Sequence, residues 1–194
     1  MNIQKTKYIL ASQSPRRSKL LAQIGINFET LPSDFIEDIS INLPPSKLSM
    51  NFAKNKAKAV AKKYKSRWVI GADTIVTLRG RIFGKPNSFG EGNEMLRALS
   101  GKTHDVFTGV SIQNIEKKIN LTFYERTKVT LKKLTDEDIF FYLKNHKPYD
   151  KSGSYGIQGY FSVFVKKING CYFNIVGLPL HKLYLMLKSI EEEF

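Results

Sequence analysis

A chain of 194 residues, 42% of them hydrophobic, is long enough to bury a core, and its composition is ordinary except for charge. Lys+Arg 31 against Asp+Glu 17 leaves a formal +14, which favours polyanionic ligands but says nothing of fold. The single cysteine, Cys171, excludes an internal disulfide, no Cys/His cluster has zinc spacing, and the apolar run Tyr8 to Ala11 is too short for a signal peptide or a membrane span, so the expected compartment is the cytosol.

Tyr8 to Ala11 has the pattern of a buried strand, and Ser12-Gln13-Ser14-Pro15 follows with helix-start chemistry, Ser14 as N-cap and Pro15 as first helical residue. Leu20, Leu21 and Ile24 give that helix an apolar side, Gly25 ends it, and Phe28 to Leu31 begins a second strand. After Pro44-Pro45-Ser46, residues Phe52, Ala53, Ala57, Val60 and Tyr64 recur at helical spacing, with Lys56 inside the stripe. Trp68 to Ala72 predicts a buried strand ending at Asp73-Thr74, and Ile75 to Leu78 is expected to pair with Arg81 to Phe83 across Arg79-Gly80. Ser88 to Glu91 has capping-box spacing ahead of a helix carrying Met95, Leu96 and Leu99.

From His104 to Leu131 two long strands are expected, separated by Glu116-Lys117-Lys118. Thr135 to Asp138 forms a second capping box before a helix with Ile139, Phe140 and Leu143 inward. A glycine-rich segment, Gly153 to Gly159, leads into an expected hairpin: Phe161 to Ile168, a turn at Asn169-Gly170, and a return through Cys171 to Val176. Pro179 opens a closing helix with Leu180, Leu183, Tyr184 and Leu187. No repeat, low-complexity tract or long linker interrupts this order, so one α/β or α+β body over residues 1–194 is expected.

Four local features point to chemistry. Ser12-Gln13-Ser14-Pro15-Arg16-Arg17 sets hydroxyls and guanidiniums at a strand-to-helix junction, where free backbone N–H groups and forked donors suit phosphate; an ordinary capped helix with solvated arginines is the plainer alternative. Asp73 is an acid at the C-terminal end of a hydrophobic strand, where open α/β sheets build their sites, placed to take a proton from water or to hold Mg²⁺; a cap or turn residue is the plainer alternative. Lys56 and Lys85, the latter in Phe83-Gly84-Lys85-Pro86, are cations outside the solvated runs; a snorkelling stem and a turn lysine are their plainer readings. Glu37, in Ser33-Asp34-Phe35-Ile36-Glu37-Asp38, is the candidate second carboxylate, with Asp34 and Asp38 competing.

Other signals fail. Ser100-Gly101-Lys102-Thr103 ends like a phosphate-binding P-loop but has Leu96 where its first glycine must stand. The glycines at 153, 156 and 159 spell no dinucleotide fingerprint, and His104, His146 and His181 are isolated. The lysines at 54, 56, 58, 62, 63 and 65 read first as the solvated side of one helix, although Lys56 also falls inside the apolar stripe, which leaves a nucleic-acid stripe the weaker explanation of the charge.

Taken together, Ala11 to Arg17, Lys56 to Ala59, Gly71 to Thr74, Gly84 to Pro86, Leu99 to His104, Asp150-Lys151, Tyr155 to Gly159 and Val176 to Pro179 resemble the Maf family, in its branch acting on dTTP and UTP. The resemblance implies an α/β fold of the Maf/ITPase-like kind, a mixed twisted sheet with flanking helices and two lobes around a deep cleft. It also implies frequent dimers, and metal-dependent release of pyrophosphate and a nucleoside monophosphate with Mg²⁺ or Mn²⁺. Asp73 matches the family's proton acceptor; Arg17, Thr74 and Gln158 match positions tied to choosing a pyrimidine; and Ser12, Arg16, Glu37, Lys56 and Lys85 match the phosphate and metal cleft. Whether Asp73 is base, metal ligand or both stays open. Departures are Asn87-Ser88, where an acid is usual, and Ser152 and Ser154 in place of alanines. Two other readings remain beside this one: a house-cleaning enzyme for modified or purine nucleotides, and a non-catalytic septum-formation or nucleic-acid-binding protein. No membrane partner and no specific nucleic acid are expected.

Overall fold

A computed structural model describes residues 3–193. In chain order the elements are β1 (Tyr8–Leu10), α1 (Pro15–Gln23), β2 (Phe28–Thr30), α2 (Pro45–Ala61), β3 (Val69–Leu78), β4 (Arg81–Phe83), α3 (Phe89–Leu99), β5 (Thr103–Asn114), β6 (Ile119–Leu131), α4 (Asp136–His146), two 3₁₀ turns (Ser152–Ser154 and Tyr160–Phe164), β7 (Val165–Asn169), α5 (Tyr172–Val176) and α6 (Leu180–Glu193). All seven strands form one mixed sheet in the order β2-β1-β3-β5-β6-β7, with β4 added to β3. β1 runs parallel to β2 and β3, and the other pairings are antiparallel.

Strand alternation gives β3 two faces of different character. Val69, Gly71, Asp73 and Ile75 face α2, which buries Ala57 and Val60 beside Val69, and Phe52 against Ile75. The approach is close because two adjacent strands offer no side chain there. A methyl group on Gly71 would lie 2.4 Å from the carbonyl oxygen of Ala53, and one on Gly109 would lie 2.3 Å from the backbone of Ser49. Ile70, Ala72, Thr74 and Val76 face the other way, onto two separate apolar clusters. One joins the sheet to α1 and α6 through Leu20, Leu21, Leu183 and Leu187; the other joins it to α3 and α4 through Leu96, Leu99, Ile139 and Leu143. These clusters are the two lobes, and Ile175 of α5 packs against both.

The sheet has a gap at its centre. β5 pairs with β3 from Val69 to Thr77, so β1 and β4 must share the opposite edge of β3. β1 leaves that edge after Ile70, and β4 joins it only at Val76. Residues 71–75 are therefore open to a cleft. Asp73 does not end its strand as expected; its neighbour ends instead, and β3 carries on through Leu78 because β5 continues to pair with it.

Three further expectations are corrected. Phe161 to Val176 is no hairpin: β7 pairs with β6, and beyond the Gly170 turn the chain forms α5, which buries Asn174 with its amide donating to Val106 O and Thr127 Oγ1, both at 3.0 Å. Phe140 is 54% exposed, since Ile139, Tyr142 and Leu143 hold the i, i+3, i+4 face of α4. α2 stops at Ala61, so Tyr64 leaves the stripe and is exposed. The capping box of α4 is complete. In α3 the Ser88 hydroxyl accepts from Glu91 N–H, but the Glu91 carboxylate turns to Asn87 N–H instead of Ser88. Ser14 occupies the N-cap position of α1 without a side-chain cap; its N–H donates to Ser12 Oγ at 3.2 Å.

Candidate active site

The gap opens into a cleft of about 670 Å³. All nine side chains singled out from the sequence line it: Ser12, Arg16 and Arg17 at the β1–α1 junction, Glu37 in the loop after β2, and Lys56 on α2. Asp73 and Thr74 stand on the open edge of β3, Lys85 follows β4, and Gln158 lies in the glycine-rich segment. Lys85 and Gln158 are exposed, at the rim. Among the described residues, no histidine lines the cleft, whose acid–base groups are carboxylates, lysines and Tyr155.

On the α2 face of β3 the charges form one tight group. Asp73 is 5% exposed, and its Oδ1 accepts from Lys56 Nζ at 2.6 Å. The same ammonium donates to Glu37 Oε1. Burial pushes the Asp73 carboxyl above its ordinary range, Lys56 opposes that, and the neighbouring Glu37 charge adds to it. Burial would also push Glu37 up, but the charge and hydrogen bond of Lys56, with help from Lys85, outweigh it and hold Glu37 low. Two carboxylates around one ammonium keep a net negative charge, and they present hard oxygen donors toward the cleft. That set fits a divalent cation such as Mg²⁺, which takes one or two protein carboxylates and completes its shell with phosphate and water. Among the described residues no cluster of three His, Cys, Asp or Glu exists, so the protein's share would be limited to Asp73 and Glu37.

On the other face the groups are neutral hydroxyls around one buried guanidinium. Arg17 donates from Nε to Gly177 O at 2.9 Å, from Nη1 to Ser12 Oγ at 3.1 Å and from Nη2 to Thr74 Oγ1 at 3.1 Å. Burial lowers the Arg17 pKa while Asp73 and Glu37 oppose the shift; a guanidinium still keeps its charge. Gly177 has φ +124, a conformation that strains any other residue, and a Cβ there would sit in contact with both Arg17 and Thr74. Thr74 Oγ1 lies 3.0 Å from Thr108 Oγ1, which donates to Asn174 O at 2.8 Å. Ser152 Oγ donates to Thr74 O at 3.2 Å, covering part of the open strand edge.

At the mouth, Arg16 donates to Asp150 Oδ2 at 2.7 Å, and Lys151 donates to Asp150 Oδ1. Burial alone would raise Asp150, but these two donors together hold its pKa at about 2. Thr108 and Asn174 were not legible as site residues. Nothing local distinguishes a threonine inside a twelve-residue strand, and Asn174 falls in the segment expected to be a hairpin.

A cleft with a carboxylate pair on one wall, and with guanidinium and ammonium groups around it, can bind a phosphate chain and deprotonate water beside it. A protein-family profile described as Maf-like protein matches residues 7–190. A dTTP/UTP pyrophosphatase of Bacillus mycoides is 49% identical over 187 residues, covering 96% of this chain and 97% of that protein. A dTTP/UTP pyrophosphatase of Bacillus cereus is 50% identical over 183 residues, covering 94% and 95%. A solved structure of the Staphylococcus aureus Ham1 protein aligns with TM-score 0.43 and 15% identity, over 65% of this chain and 72% of that one, a likeness too partial to argue from.

Proposed function

The chain belongs to the Maf family, and from that premise we propose that it is a nucleoside triphosphate pyrophosphatase that hydrolyses dTTP and UTP to the nucleoside monophosphate and pyrophosphate. The observation that carries this reading is the ion-paired Asp73–Lys56–Glu37 group, with Asp73 buried, lying in the same cleft as Arg17 and Lys85.

In the proposed reaction, water attacks the alpha phosphorus, the bond to the oxygen bridging alpha and beta phosphorus breaks, and pyrophosphate leaves with that oxygen. Asp73 takes the proton of the attacking water. Its raised pKa makes it a stronger base than an exposed aspartate, and the Lys56 ammonium beside it favours the carboxylate form. Arg16, Lys85, Ser12 and the backbone N–H groups opening α1 hold the phosphate oxygens, and the cations offset charge that grows on pyrophosphate as it departs. Asp73 and Glu37 would hold a divalent metal, Mg²⁺ or Mn²⁺. Such an ion, when bound, supplies charge neutralisation on the triphosphate and a lowered pKa for coordinated water. Arg17, Thr74 and Gln158 take the base, the amide of Gln158 offering both a donor and an acceptor to a uracil or thymine edge.

The same reading takes residues 1–194 as one domain working in the cytosol, and a homodimer is one assembly compatible with it. Among the described residues no helix is long and apolar enough to cross a membrane. Incubating the purified chain with UTP, dTTP, CTP, ATP, GTP and 7-methyl-GTP, with Mg²⁺ or Mn²⁺, and identifying the products tests the proposal. UMP or dTMP with pyrophosphate is expected. Release of orthophosphate and a diphosphate, or faster turnover of the purines, would overturn it.

A further inference from the structure

The hydroxyl groups behind Thr74 have a fixed direction. A guanidinium can only donate, so Thr74 Oγ1 accepts from Arg17 Nη2. A carbonyl can only accept, so Thr108 Oγ1 gives its proton to Asn174 O. Each hydroxyl has one proton. In the 3.0 Å contact between them Thr74 must therefore donate and Thr108 accept. With its proton committed inward, Thr74 has only a lone pair left for the cleft that it lines.

The anchor behind Thr108 is rigid. Thr108 is fully buried and lies directly opposite Thr74 in the β3–β5 register. Asn174 is fully buried as well, its amide held by Val106 O and Thr127 Oγ1, and Thr127 Oγ1 in turn donates to Cys171 O at 3.0 Å. The Asn174 carbonyl also accepts from Gly177 N–H at 3.1 Å, which ties it to the residue that holds Arg17 Nε.

We infer that Thr108 is a positioning residue for base selection: by taking the only hydroxyl proton of Thr74 it makes Thr74 an obligate acceptor, which selects a base with a ring N–H at that place. Uracil and thymine present the imide N3–H. Cytosine presents a lone pair at N3, so two acceptors would meet with neither satisfied, and a site built for a donor rejects a base lacking one. Thr74 meets the base only on the function proposed above.

The test measures kcat/KM for UTP, CTP and N3-methyl-UTP with Mg²⁺, using the full chain and its Thr108→Val and Thr108→Ser variants. The wild type is expected to favour UTP over both CTP and N3-methyl-UTP by about tenfold or more, the scale of one unmade hydrogen bond. Thr108→Val frees the Thr74 proton to turn toward cytosine N3, so the UTP/CTP ratio falls by about tenfold, and Thr108→Ser restores it. A purely structural loss would lower both rates and leave their ratio alone. Wild-type protein that cleaves N3-methyl-UTP as well as UTP overturns the inference without any variant, as does a folded Thr108→Val enzyme with the wild-type ratio. No turnover of any pyrimidine triphosphate by the wild type would remove the functional reading itself, whereas UTP turnover with an unmoved ratio removes only the role of Thr108.

Discussion

The two faces of β3 differ at adjacent residues. Behind Asp73 the wall is charged, with Lys56 and Glu37 gathered against α2; behind Thr74 it is a run of neutral hydroxyls that receives one buried guanidinium. Alternation along a single strand thus delivers two chemistries to one cleft, because the strand edge between them is left uncovered. On the proposed function, one face serves the reaction that makes and moves charge, and the other serves the choice between neutral base edges.

Second only to loss of Asp73 itself, removing the ammonium at the centre of the first face should have the largest effect. Lys56→Met leaves two carboxylates without their shared ammonium, so kcat should fall by about 10² or more, and stability at neutral pH by about 3 kcal/mol. The sign with pH is distinctive. Asp73 has its pKa raised in the fold, so it costs stability as pH rises through that value, and losing Lys56 raises it further. The variant should recover stability on mild acidification, and the acid limb of its kcat/KM profile should move to higher pH. Urea midpoints and rates across pH would check both.

The neutral face should respond in the opposite sense. His104 lies on it, buried, with Nε2 2.6 Å from Tyr155 OH, and burial holds its pKa at about 4 against an ordinary 6.5. Between those values the unfolded chain takes up a proton that the folded chain refuses. This contribution is full above pH 6.5 and is lost as pH falls toward 4, up to about 3 kcal/mol. Urea titrations of the wild type and His104→Gln should show that slope weakened in the variant.

Two glycines separate the faces more finely. Gly109→Ala presses on the backbone of α2 and should cost about 2 kcal/mol while lowering kcat for every substrate alike, since α2 carries Lys56. Gly177→Ala strains a positive φ beside Arg17 and Thr74; its cost of about 1–3 kcal/mol should come with weaker preference for pyrimidines. Thermal denaturation and a substrate panel distinguish them. The smallest effect belongs to the mouth, where Asp150→Asn loosens exposed ion pairs. It should shift stability by less than about 1 kcal/mol, and change KM more than kcat as Arg16 and Lys151 are released.

Much of this was legible before the fold was known. Asp73 stood out as an acid among apolar strand residues, Lys56 as a cation inside an apolar stripe, and the Ser12 to Arg17 junction as phosphate chemistry; all three reach one cleft. The resemblance to the Maf family supplied Gln158 and Thr74. The open edge of β3 was hidden, because it depends on where β1 stops and β4 begins, not on the sequence of β3. The turn at Asn169-Gly170 was readable, but the helix after it was not: α5 is held by contacts of Asn174 to β5 and β6, more than forty residues away in sequence. Thr108 is invisible for the same reason, since its meaning comes from its partners across the strands.

The division of labour between the two faces stands or falls on kcat/KM for UTP, dTTP and GTP in Asp73→Asn and Thr74→Val, each checked for an intact fold. Asp73→Asn should lower all three together by about 10³ with their ratios unchanged, while Thr74→Val should keep most of the turnover and lose most of the pyrimidine preference. Near-normal turnover in Asp73→Asn, or an undiminished pyrimidine preference in Thr74→Val, would contradict it.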